Sequence, residues 1–416
     1  MRRPLGWWYL ALGLGILAVA ALGSQETDGD FLQFNGDGAF KIVQFSDLHF
    51  GDSPLEDQKT GQAMLQILRV EKDVDLVVLA GDMISGYACP YKQNTMKSLA
   101  KRKEWFRSMW SQVISPLQKR KVKYASTLGN HDSSQIKRIR KRIVEMDMRS
   151  GKGFSLTQPG PENITGVSNY FLPVRSSNTS QESARLWFFD SMAKGCNGLH
   201  YSWGCVGEDT VHWFDHLASK QSPLPGAAFI HIPLPEFLDG WRFNNGTATG
   251  GKFEPVSCPR ANTHLFDKLR LHGVSSVYSG HDHLNDYYLE FKGVRLAYGR
   301  KSGYGAYGPS GLAGARVIIL KEGQPTKNAE TYIRFGDGSR DDQPERKSSI
   351  KGFQFRCAAG PYVGDLPGTK LRSTSSGMSL PYNGSSLALT LLISFVAMFG
   401  LILWRRVRRP KKLRGA

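Results

Sequence analysis

The sequence is poor in cysteine, and none of its cysteines form a Cys-x-x-Cys pair. The 416 residues include five cysteines, at positions 89, 196, 205, 258 and 357, so zinc ribbons are excluded. The sequence also lacks an internal repeat. Long apolar runs are absent outside the two ends. The roughly 300 residues between those ends suffice for one large domain or two small ones.

The formal net charge of +18 is concentrated at the ends. Arg2, Arg3 and seven of the last twelve residues supply nine of the excess positive charges. Basic clusters beside apolar runs are typical of membrane topology signals. A nucleic-acid partner is not expected, because no basic motif for one is found between the ends. The positive charge that remains on the body suits an anionic substrate or surface.

Two uncharged apolar runs mark the ends of the chain. Residues 5–22 follow a short basic start and include Ala18 and Ala20, which predicts a signal peptide over residues 1–23; a retained signal anchor is the alternative. Residues 387–404 precede the basic residues 405–416, which predicts a transmembrane helix and a cytosolic tail. We therefore expect a single-pass type I membrane protein of the secretory pathway, with a lumenal or extracellular body.

Other segments agree with an exported body. Residues 24–38 predict a linker, and the polar residues 336–386 predict a stalk. Four N-x-S/T sequons predict glycosylation sites at Asn163, Asn178, Asn245 and Asn383. Cys196 and Cys205 could close a short loop as a disulfide in an oxidising compartment. The odd number of cysteines leaves at least one unpaired within the chain.

Between the linker and the stalk, residues 39–335 predict an α/β fold. Its first half alternates strands with helices, at 40–45, 58–70, 75–80, 96–119 and 122–128. This alternation implies crossover connections. Strands follow each other more closely in the second half, at 170–174, 185–190, 227–231, 274–278, 287–291, 294–298 and 315–320. We therefore expect more antiparallel pairing in the second half.

Histidine, aspartate and asparagine recur where predicted strands end. They form five blocks: Asp47-Leu48-His49, Gly81-Asp82, Gly129-Asn130-His131-Asp132, the single His231, and Gly280-His281-Asp282-His283. Loops at the carboxyl ends of strands in an open α/β sheet converge on one crevice. One such block alone is a weak signal, since these residues often cap strands and turns, but the five in this order predict a shared site.

The donor atoms of these side chains suit two metal ions. Carboxylate, amide and imidazole groups without thiolates fit Fe, Zn or Mn, and seven plausible ligands exceed the needs of one ion. A carboxylate such as Asp82 can bridge two ions. Paired ions about 3.5–4 Å apart hydrolyse phosphate esters by generating a hydroxide and binding the phosphate oxygens. A protonated histidine nearby can give its proton to the leaving oxygen.

The five blocks resemble those of the calcineurin-like metallophosphoesterase superfamily, which are D-x-H, G-D, G-N-H-[DE], an isolated H and G-H-x-H. The resemblance runs from about residue 40 to about residue 335. Three further segments, at 166–170, 231–237 and 299–305, are similar to the small divergent plant purple acid phosphatases and their fungal relatives. The resemblance implies a metallophosphoesterase domain at 39–335, built as a β-sandwich of two mixed sheets flanked by helices.

The resemblance also implies a role for each site residue. One ion would be held by Asp47, His49, Asp82 and His283. The second ion would be held by Asp82, Asn130, His231 and His281. His131 would donate a proton or contact the phosphate, with Asp132 orienting it.

Two features depart from the purple enzymes of that family. Their G-D-x-x-Y block carries a tyrosine that binds ferric iron, whereas Ser85 takes that place here. Their first block is D-x-G, whereas His49 adds an imidazole here. A purple ferric site is therefore not expected, and the two ions stay open among Fe, Zn and Mn. The complete ligand set argues against an inactive site.

These observations predict a phosphoesterase that uses a metal-bridging hydroxide to hydrolyse a phosphate-ester substrate. The alternative is a membrane-anchored, non-catalytic binding protein on a phosphatase fold. Arg300 and Lys301 follow a predicted strand and are predicted substrate contacts; ordinary surface cations are the alternative. The sequence does not distinguish among phosphoprotein, nucleotide, sugar phosphate and lipid substrates, and it leaves the oligomeric state open.

Overall fold

The computed structural model describes residues 31–91, 95–133, 137–309 and 311–347, together with Cys357. All of these residues belong to the unit Met1–Gly364. The predicted signal peptide, transmembrane helix and basic tail, most of the predicted stalk and the sequon at Asn383 lie outside the described residues. Within the described part, no helix combines the length and the apolarity that a membrane span requires.

The described residues contain seventeen strands and six α-helices. In chain order the strands are β1 Leu32–Gln33, β2 Ala39–Phe45, β3 Leu76–Ala80, β4 Tyr124–Thr127, β5 Tyr170–Arg175, β6 Glu182–Phe189, β7 Lys194–Cys196, β8 Leu199–Trp203, β9 Gly226–Ile230, β10 Thr247–Thr249, β11 Val274–Ser279, β12 Tyr288–Phe291, β13 Val294–Tyr298, β14 Gly314–Lys321, β15 Glu330–Phe335, β16 Arg340–Asp341 and β17 Glu345–Lys347. The helices are α1 Pro54–Val70, α2 Met96–Arg120, α3 Lys137–Ser150, α4 Glu208–Ser219, α5 Glu236–Phe243 and α6 Leu265–Leu271. Short 3-10 turns lie at Gly86–Ala88 and Thr326–Asn328.

Two mixed sheets form the core of the fold. The larger has the order β1-β5-β6-β9-β11-β13-β12-β10-β17, the smaller has the order β16-β15-β14-β2-β3-β4, and β7 pairs with β8 in a separate hairpin. Successive strand residues point to opposite faces. Ile42 of β2 therefore packs in a cluster between the sheets, together with Phe229 of the larger sheet. The next residue, Val43, packs in a cluster with residues of α1, α2 and α3.

The outer face of the larger sheet is covered in the same way by α4, α5 and α6. Between the sheets, aromatic rings stack across four neighbouring strands of the larger sheet. The stacked rings are those of Tyr170, Phe188, Phe229 and Tyr278. Offset stacking adds to the free energy of burial. The expected sandwich of two mixed sheets flanked by helices is therefore confirmed.

Strand pairing differs between the two halves of the chain, as predicted: β2, β3 and β4 pair in parallel, whereas most pairs in the second half are antiparallel. Strands β6, β9, β11 and β13 pair in parallel, and antiparallel pairs flank this parallel centre. The parallel centre itself was not predicted, because α4, α5 and α6, which supply crossover connections that parallel strands require, were missed. The parallel centre matters for the site, since it directs several strand ends to the same edge.

The fold also extends beyond the predicted domain limits. Strand β1 lies in the predicted linker and pairs with β5. Strands β16 and β17 lie in the predicted stalk. Strand β16 extends the smaller sheet, and β17 extends the larger sheet. Short polar edge strands resemble linkers in composition, since edges are commonly protected by charged side chains. The domain limits of 39–335 are therefore too narrow.

Two disulfides fasten loops to this fold. The expected bridge between Cys196 and Cys205 is confirmed, with the Cα atoms 5.3 Å apart. A second bridge joins Cys258 to Cys357, with the Cα atoms 5.2 Å apart. The unpaired cysteine is Cys89, which is buried.

Candidate metal centre

The predicted ligands lie at the carboxyl ends of parallel strands from both sheets. In the smaller sheet, Asp47 and His49 follow β2, Asp82 follows β3 and Asn130 follows β4; in the larger sheet, His231 follows β9, and His281 and His283 follow β11. The two sheets meet at this edge, because Nδ1 of His231 lies 2.9 Å from the carbonyl oxygen of Ala80. The topology therefore assembles one site from five loops.

The backbone at the site adopts a conformation that side chains other than glycine rarely take. Four of the ligand residues have positive φ angles: Asp47 at 56°, His49 at 53°, Asp82 at 53° and His281 at 76°. Left-handed backbone at non-glycine residues costs free energy and concentrates at functional sites. The strained backbone of the turns after the strands thus directs these side chains toward one site.

Two glycines allow the ligand loops to approach each other. A Cβ atom on Gly129 would overlap Oδ1 and the backbone nitrogen of Asp82. A Cβ atom on Gly81, where φ is +88°, would overlap the ring of His231. Only glycine fits such close contacts, which explains physically why both blocks begin with it.

The first ligand group consists of Asp47, His49, Asp82 and His283. All four are buried, and one donor atom from each lies within 4.8 Å of the others. Nε2 of His49 is 3.2 Å from Nε2 of His283 and 3.8 Å from Oδ2 of Asp82. Nε2 of His283 is 3.4 Å from Oδ1 of Asp47. The group matches the set expected for the first ion.

The second ligand group shares Asp82 with the first. Asp82, His231 and His281 are buried and offer donor atoms within 4.8 Å of one another. Nε2 of His231 is 3.2 Å from Oδ2 of Asp82 and 3.0 Å from Oδ1 of Asn130. Asn130 therefore joins this group, which matches the set expected for the second ion.

Unpartnered polar atoms indicate that the two groups fit metal ions. Within the described residues, Oδ2 of Asp82 and Nε2 of His281 are buried without a hydrogen-bond partner. Such burial costs free energy unless a ligand compensates it. The other oxygen of Asp82, Oδ1, accepts a 2.7 Å hydrogen bond from the backbone nitrogen of His131. Asp82 is thereby held with one oxygen free for both groups.

Hydrogen bonds on the far side of three rings fix their orientation. Nδ1 of His49 lies 2.9 Å from Oγ of Ser85, and Nδ1 of His283 lies 2.6 Å from the carbonyl oxygen of Tyr307. His231 makes the contact with Ala80 described above. Such partners leave Nε2 of each ring facing the cleft and set the tautomer for metal binding. Ser85, at the position of the purple enzymes' tyrosine, supports a ligand here.

Burial and neighbouring charges set the protonation of the histidines. Burial lowers the pKa of His281 to about 3, and the charge on His231 adds to this effect. Burial, followed by the charge on Lys301, holds the pKa of His49 well below its ordinary value. Burial would also lower the pKa of His231, but the carboxylate of Asp82 raises it to about 9. His231 would therefore release a proton on binding an ion.

The family follows from the sequence that carries this site. The family model described as Calcineurin-like phosphoesterase matches residues 40–285. The chain belongs to this family. A protein from Arabidopsis thaliana, "Probable inactive purple acid phosphatase 14", is 30% identical over 342 residues, which cover 73% of this chain and 80% of the relative. "Probable inactive purple acid phosphatase 29" is 29% identical over 349 residues, which cover 74% and 85%.

A relative with a different kind of name comes from Saccharomyces cerevisiae. The protein named "Phosphatase DCR2" is 28% identical to this calcineurin-like phosphoesterase over 349 residues. That match covers 76% of this chain and 57% of the relative. The reported relatives are all named phosphatases, and the names of the two plant proteins add the word "inactive".

His131 and Asp132 have separate positions in this member of the family. His131 is half-buried, and its ring packs against those of His49 and Tyr87, with centroids 5.4 and 4.9 Å away. The buried carboxylate of Asp132 instead accepts hydrogen bonds from three backbone nitrogens, those of Asp82, Ile84 and Gly129. Asp132 therefore does not orient the ring of His131, as we expected, but ties the Asp82 loop to the Asn130 loop. The backbone donors outcompete the ring because they converge on the buried carboxylate.

Sequence reasoning missed a buried ion pair behind the same loop. Arg140 of α3 donates to the carbonyl oxygens of Leu128 and Gly129 and pairs with Asp190. Asp190 in turn accepts a hydrogen bond from the backbone nitrogen of Val167. Asp190 directly follows β6, so the rule used for the other strand-end carboxylates could have found it. Arg140 has no such signal, because it lies within a basic helix.

The two predicted substrate cations are both buried. Arg300 pairs with Asp286 at 2.8 Å and donates to the carbonyl oxygen of Leu312, so its role is structural and the predicted substrate contact is not supported. Lys301 points to the site, where its Nζ donates to the carbonyl oxygen of Asp47 at 3.0 Å. Burial lowers the pKa of Lys301 to about 8. Arg300 is thus neither a substrate contact nor an exposed cation.

Proposed function

We propose that this chain is a metal-dependent phosphoesterase that hydrolyses a phosphate ester. The observation that supports this most is the convergence of the seven predicted ligands into two buried groups that share Asp82. Two bound ions would supply an activated water and neutralise charge on the phosphate. The membership in the calcineurin-like phosphoesterase family agrees with this proposal.

The protein's own residues would do the remaining work. Asp82 is fixed by the backbone of His131 and can serve both groups with its free oxygen. The half-buried ring of His131, beside His49, would hold a proton at a ring nitrogen and deliver it to the leaving oxygen. The loops that carry these residues are held by Asp132 and by Arg140. The cleft is thus organised by hydrogen bonds that exist without substrate.

The proposal includes a lumenal or extracellular body. Two disulfides join four of the five cysteines, which fits an oxidising compartment. The three sequons in the described part, at Asn163, Asn178 and Asn245, are all exposed. These features support a signal peptide over residues 1–23, and the proposed membrane anchor at residues 387–404 rests on the apolar sequence there. A protease-protection experiment on intact vesicles tests this placement.

A second candidate function is that of a non-catalytic binding protein on a phosphatase fold. The names of the two plant relatives, which include the words "Probable inactive", favour it. The intact pair of ligand groups opposes it, because a retired site has no physical need to keep two buried clusters of metal ligands with unpartnered atoms at Asp82 and His281. Metal content and turnover measured together distinguish the two functions.

The test uses the full-length protein made in a secretory host, beside the variant Asn130→Ala. We expect about two ions per chain and turnover of p-nitrophenyl phosphate, with loss of one ion and of turnover in the variant. Asn130→Ala removes an oxygen from the second group without changing the charge. A matched control is Asn328→Ala, since Asn328 is exposed in the turn Thr326–Asn328.

Other outcomes would redirect the proposal. Bound metal without turnover would point to a narrow substrate range, so phosphodiesters and phosphopeptides would be assayed next. A folded protein that holds no metal and turns over none of these substrates would contradict the catalytic proposal and favour the binding protein.

A further inference from the structure

Three aromatic rings border the metal centre, and each packs against a different histidine. The ring of Tyr87 lies 4.9 Å from that of His131, and the ring of Tyr307 stacks on that of His283 at 4.2 Å. The indole of Trp203 meets the ring of His281 edge to face at 4.5 Å. These residues come from three separate elements: the turn after the Asp82 block, the end of β8 and the loop after β13. We name Tyr87, Trp203 and Tyr307 the aromatic rim.

The aromatic rim is accessible although it touches buried ligands. Tyr87 is 43% exposed and Tyr307 is 57% exposed, and Trp203 is half-buried. Exposed aromatic area next to a site of fixed geometry is a common anchor for ligands, since an aromatic ring loses little conformational entropy on binding. The rim is therefore available to a group that enters the cleft with a phosphate.

Each ring of the rim is held in place before any ligand binds. The hydroxyl of Tyr87 donates to Asp52 at 2.9 Å, and the hydroxyl of Tyr307 donates to Glu254 at 3.0 Å. Trp203 ends a hairpin closed by the disulfide of Cys196 and Cys205. Rings that are already ordered bind with a smaller entropic cost.

Charges behind the rim restrict the group that it can accept. The carboxylates of Asp52 and Glu254 lie at the hydroxyl ends of two of the rings. Arg300 is engaged by Asp286 and Lys301 by the backbone of Asp47. A second or third phosphate of a substrate would approach the carboxylates and be repelled. A neutral planar group attached to a single phosphate avoids this repulsion and can pack against the rings.

We propose that the aromatic rim selects phosphomonoesters whose alcohol carries a planar aromatic ring, with Trp203 as a specificity-determining residue. This inference rests on the proposed phosphoesterase function. Such a ring could come from a tyrosine phosphate or from a nucleoside monophosphate. The two sources share the chemistry of one phosphate and one planar ring.

The test compares two substrates and two phosphonates that are not hydrolysed, all with the metal-loaded full-length protein. The substrates are phenyl phosphate and glycerol 2-phosphate; the ligands are phenylphosphonate and methylphosphonate, whose binding is measured by calorimetry. Trp203→Ala should lower the ratio of kcat/KM for the aryl over the aliphatic substrate about fivefold to tenfold, mainly through KM. It should weaken phenylphosphonate binding by the same factor, and Trp203→Phe should restore most of both losses.

The matched control is His200→Ala, because His200 is the exposed residue three positions before Trp203 on the same strand. This variant should leave the ratio and the binding unchanged. Phosphotyrosine peptide and adenosine 5′-monophosphate are assayed as substrates in parallel. The one whose kcat/KM falls more in Trp203→Ala identifies the source of the ring.

Two results would overturn the inference. An equal loss for both substrates in Trp203→Ala would mean that Trp203 only holds His281, and a wild-type protein without preference for phenylphosphonate over methylphosphonate would mean that the rim selects nothing. If neither substrate is turned over but phenylphosphonate binding still depends on Trp203, the rim stands, and the proposed catalysis is then decided by the assays of phosphodiesters and phosphopeptides described above.

Discussion

The two sheets contribute different chemistry to the metal centre. The smaller sheet supplies all of the oxygen donors together with one imidazole, from Asp47, Asp82, Asn130 and His49. The larger sheet supplies only imidazoles, from His231, His281 and His283. Carboxylates offset the charge of bound cations, whereas neutral imidazoles add donors without charge. Neither sheet alone completes a ligand group, so each bound ion would link the two sheets.

The largest expected effect comes from the residue that serves both groups. Asp82→Asn keeps the shape of the side chain but removes the charge that both ions would share. We expect metal content to fall from about two ions to less than one per chain, and turnover to fall at least about 100-fold, because loss of an outer partner alone commonly costs 10–100-fold. Elemental analysis and steady-state assays measure the two effects.

The control for that variant is Asp337→Asn, which alters an exposed carboxylate after β15 and should change neither quantity. If Asp82→Asn retained one firmly bound ion, the two groups would be independent. The view that they share one oxygen from the smaller sheet would then be wrong.

The next effect concerns stability, because ions that link the sheets would stabilise the folded state. An ion at 1,000 times its dissociation constant contributes about 4 kcal/mol, and 1 kcal/mol shifts the Tm of a large domain by about 2–4 °C. Removing both ions with a chelator should therefore lower the Tm by at least about 10 °C. Calorimetry with and without chelator measures the shift.

The same chelation applied to Asp82→Asn should give a much smaller shift in Tm, since that variant has little metal to lose. An unchanged Tm in wild-type protein, after metal analysis has verified removal, would show that the ions do not link the sheets. The difference in chemistry between the sheets would then have no consequence for stability.

The ligands could be predicted from the sequence because their positions obey a local rule. Each follows a strand that is visible as an apolar run, and parallel strand ends meet at one edge. Gly81 and Gly129 belong to the same local signal, because close contacts at Asp82 and His231 exclude any side chain there. The start of α1 carried a further local signal. The apolar pattern predicted a start at residue 58, whereas the helix begins at Pro54 after the N-cap Ser53, and both residue types are typical of a helix start.

The partners of buried polar groups could not be predicted in this way. Arg300 and Lys301 are neighbours at the end of β13, so their side chains point in different directions. One meets Asp286 and the other meets the backbone of Asp47. Asp132 likewise binds backbone nitrogens from another loop. Such choices depend on the packing of segments distant in sequence, which neither composition nor spacing encodes.

The smallest expected effect tests the one imidazole that the smaller sheet supplies. Nδ1 of His49 lies 2.9 Å from Oγ of Ser85. The hydroxyl of Ser85 donates to that of Tyr87 at 3.1 Å, which donates to Asp52 at 2.9 Å. This series of hydrogen bonds ends on a carboxylate and therefore favours the tautomer of His49 that carries a proton on Nδ1 and points Nε2 into the cleft.

Ser85→Ala removes the hydrogen-bond partner of His49 and should lower the affinity for one of the two ions about tenfold. This is the lower end of the range of metal affinity lost with an outer partner. A chelator competition titration resolves the two ions and should show the second ion unchanged. Tyr87→Phe breaks the chain one link further from His49 and should have a smaller effect. If Ser85→Ala left both affinities unchanged, His49 would be held by packing alone, and the hydrogen-bonded support of the smaller sheet's imidazole would be refuted. If the affinities for both ions fell together, the two ion sites would be coupled through Asp82. The two sheets would then differ only in the ligands that they supply.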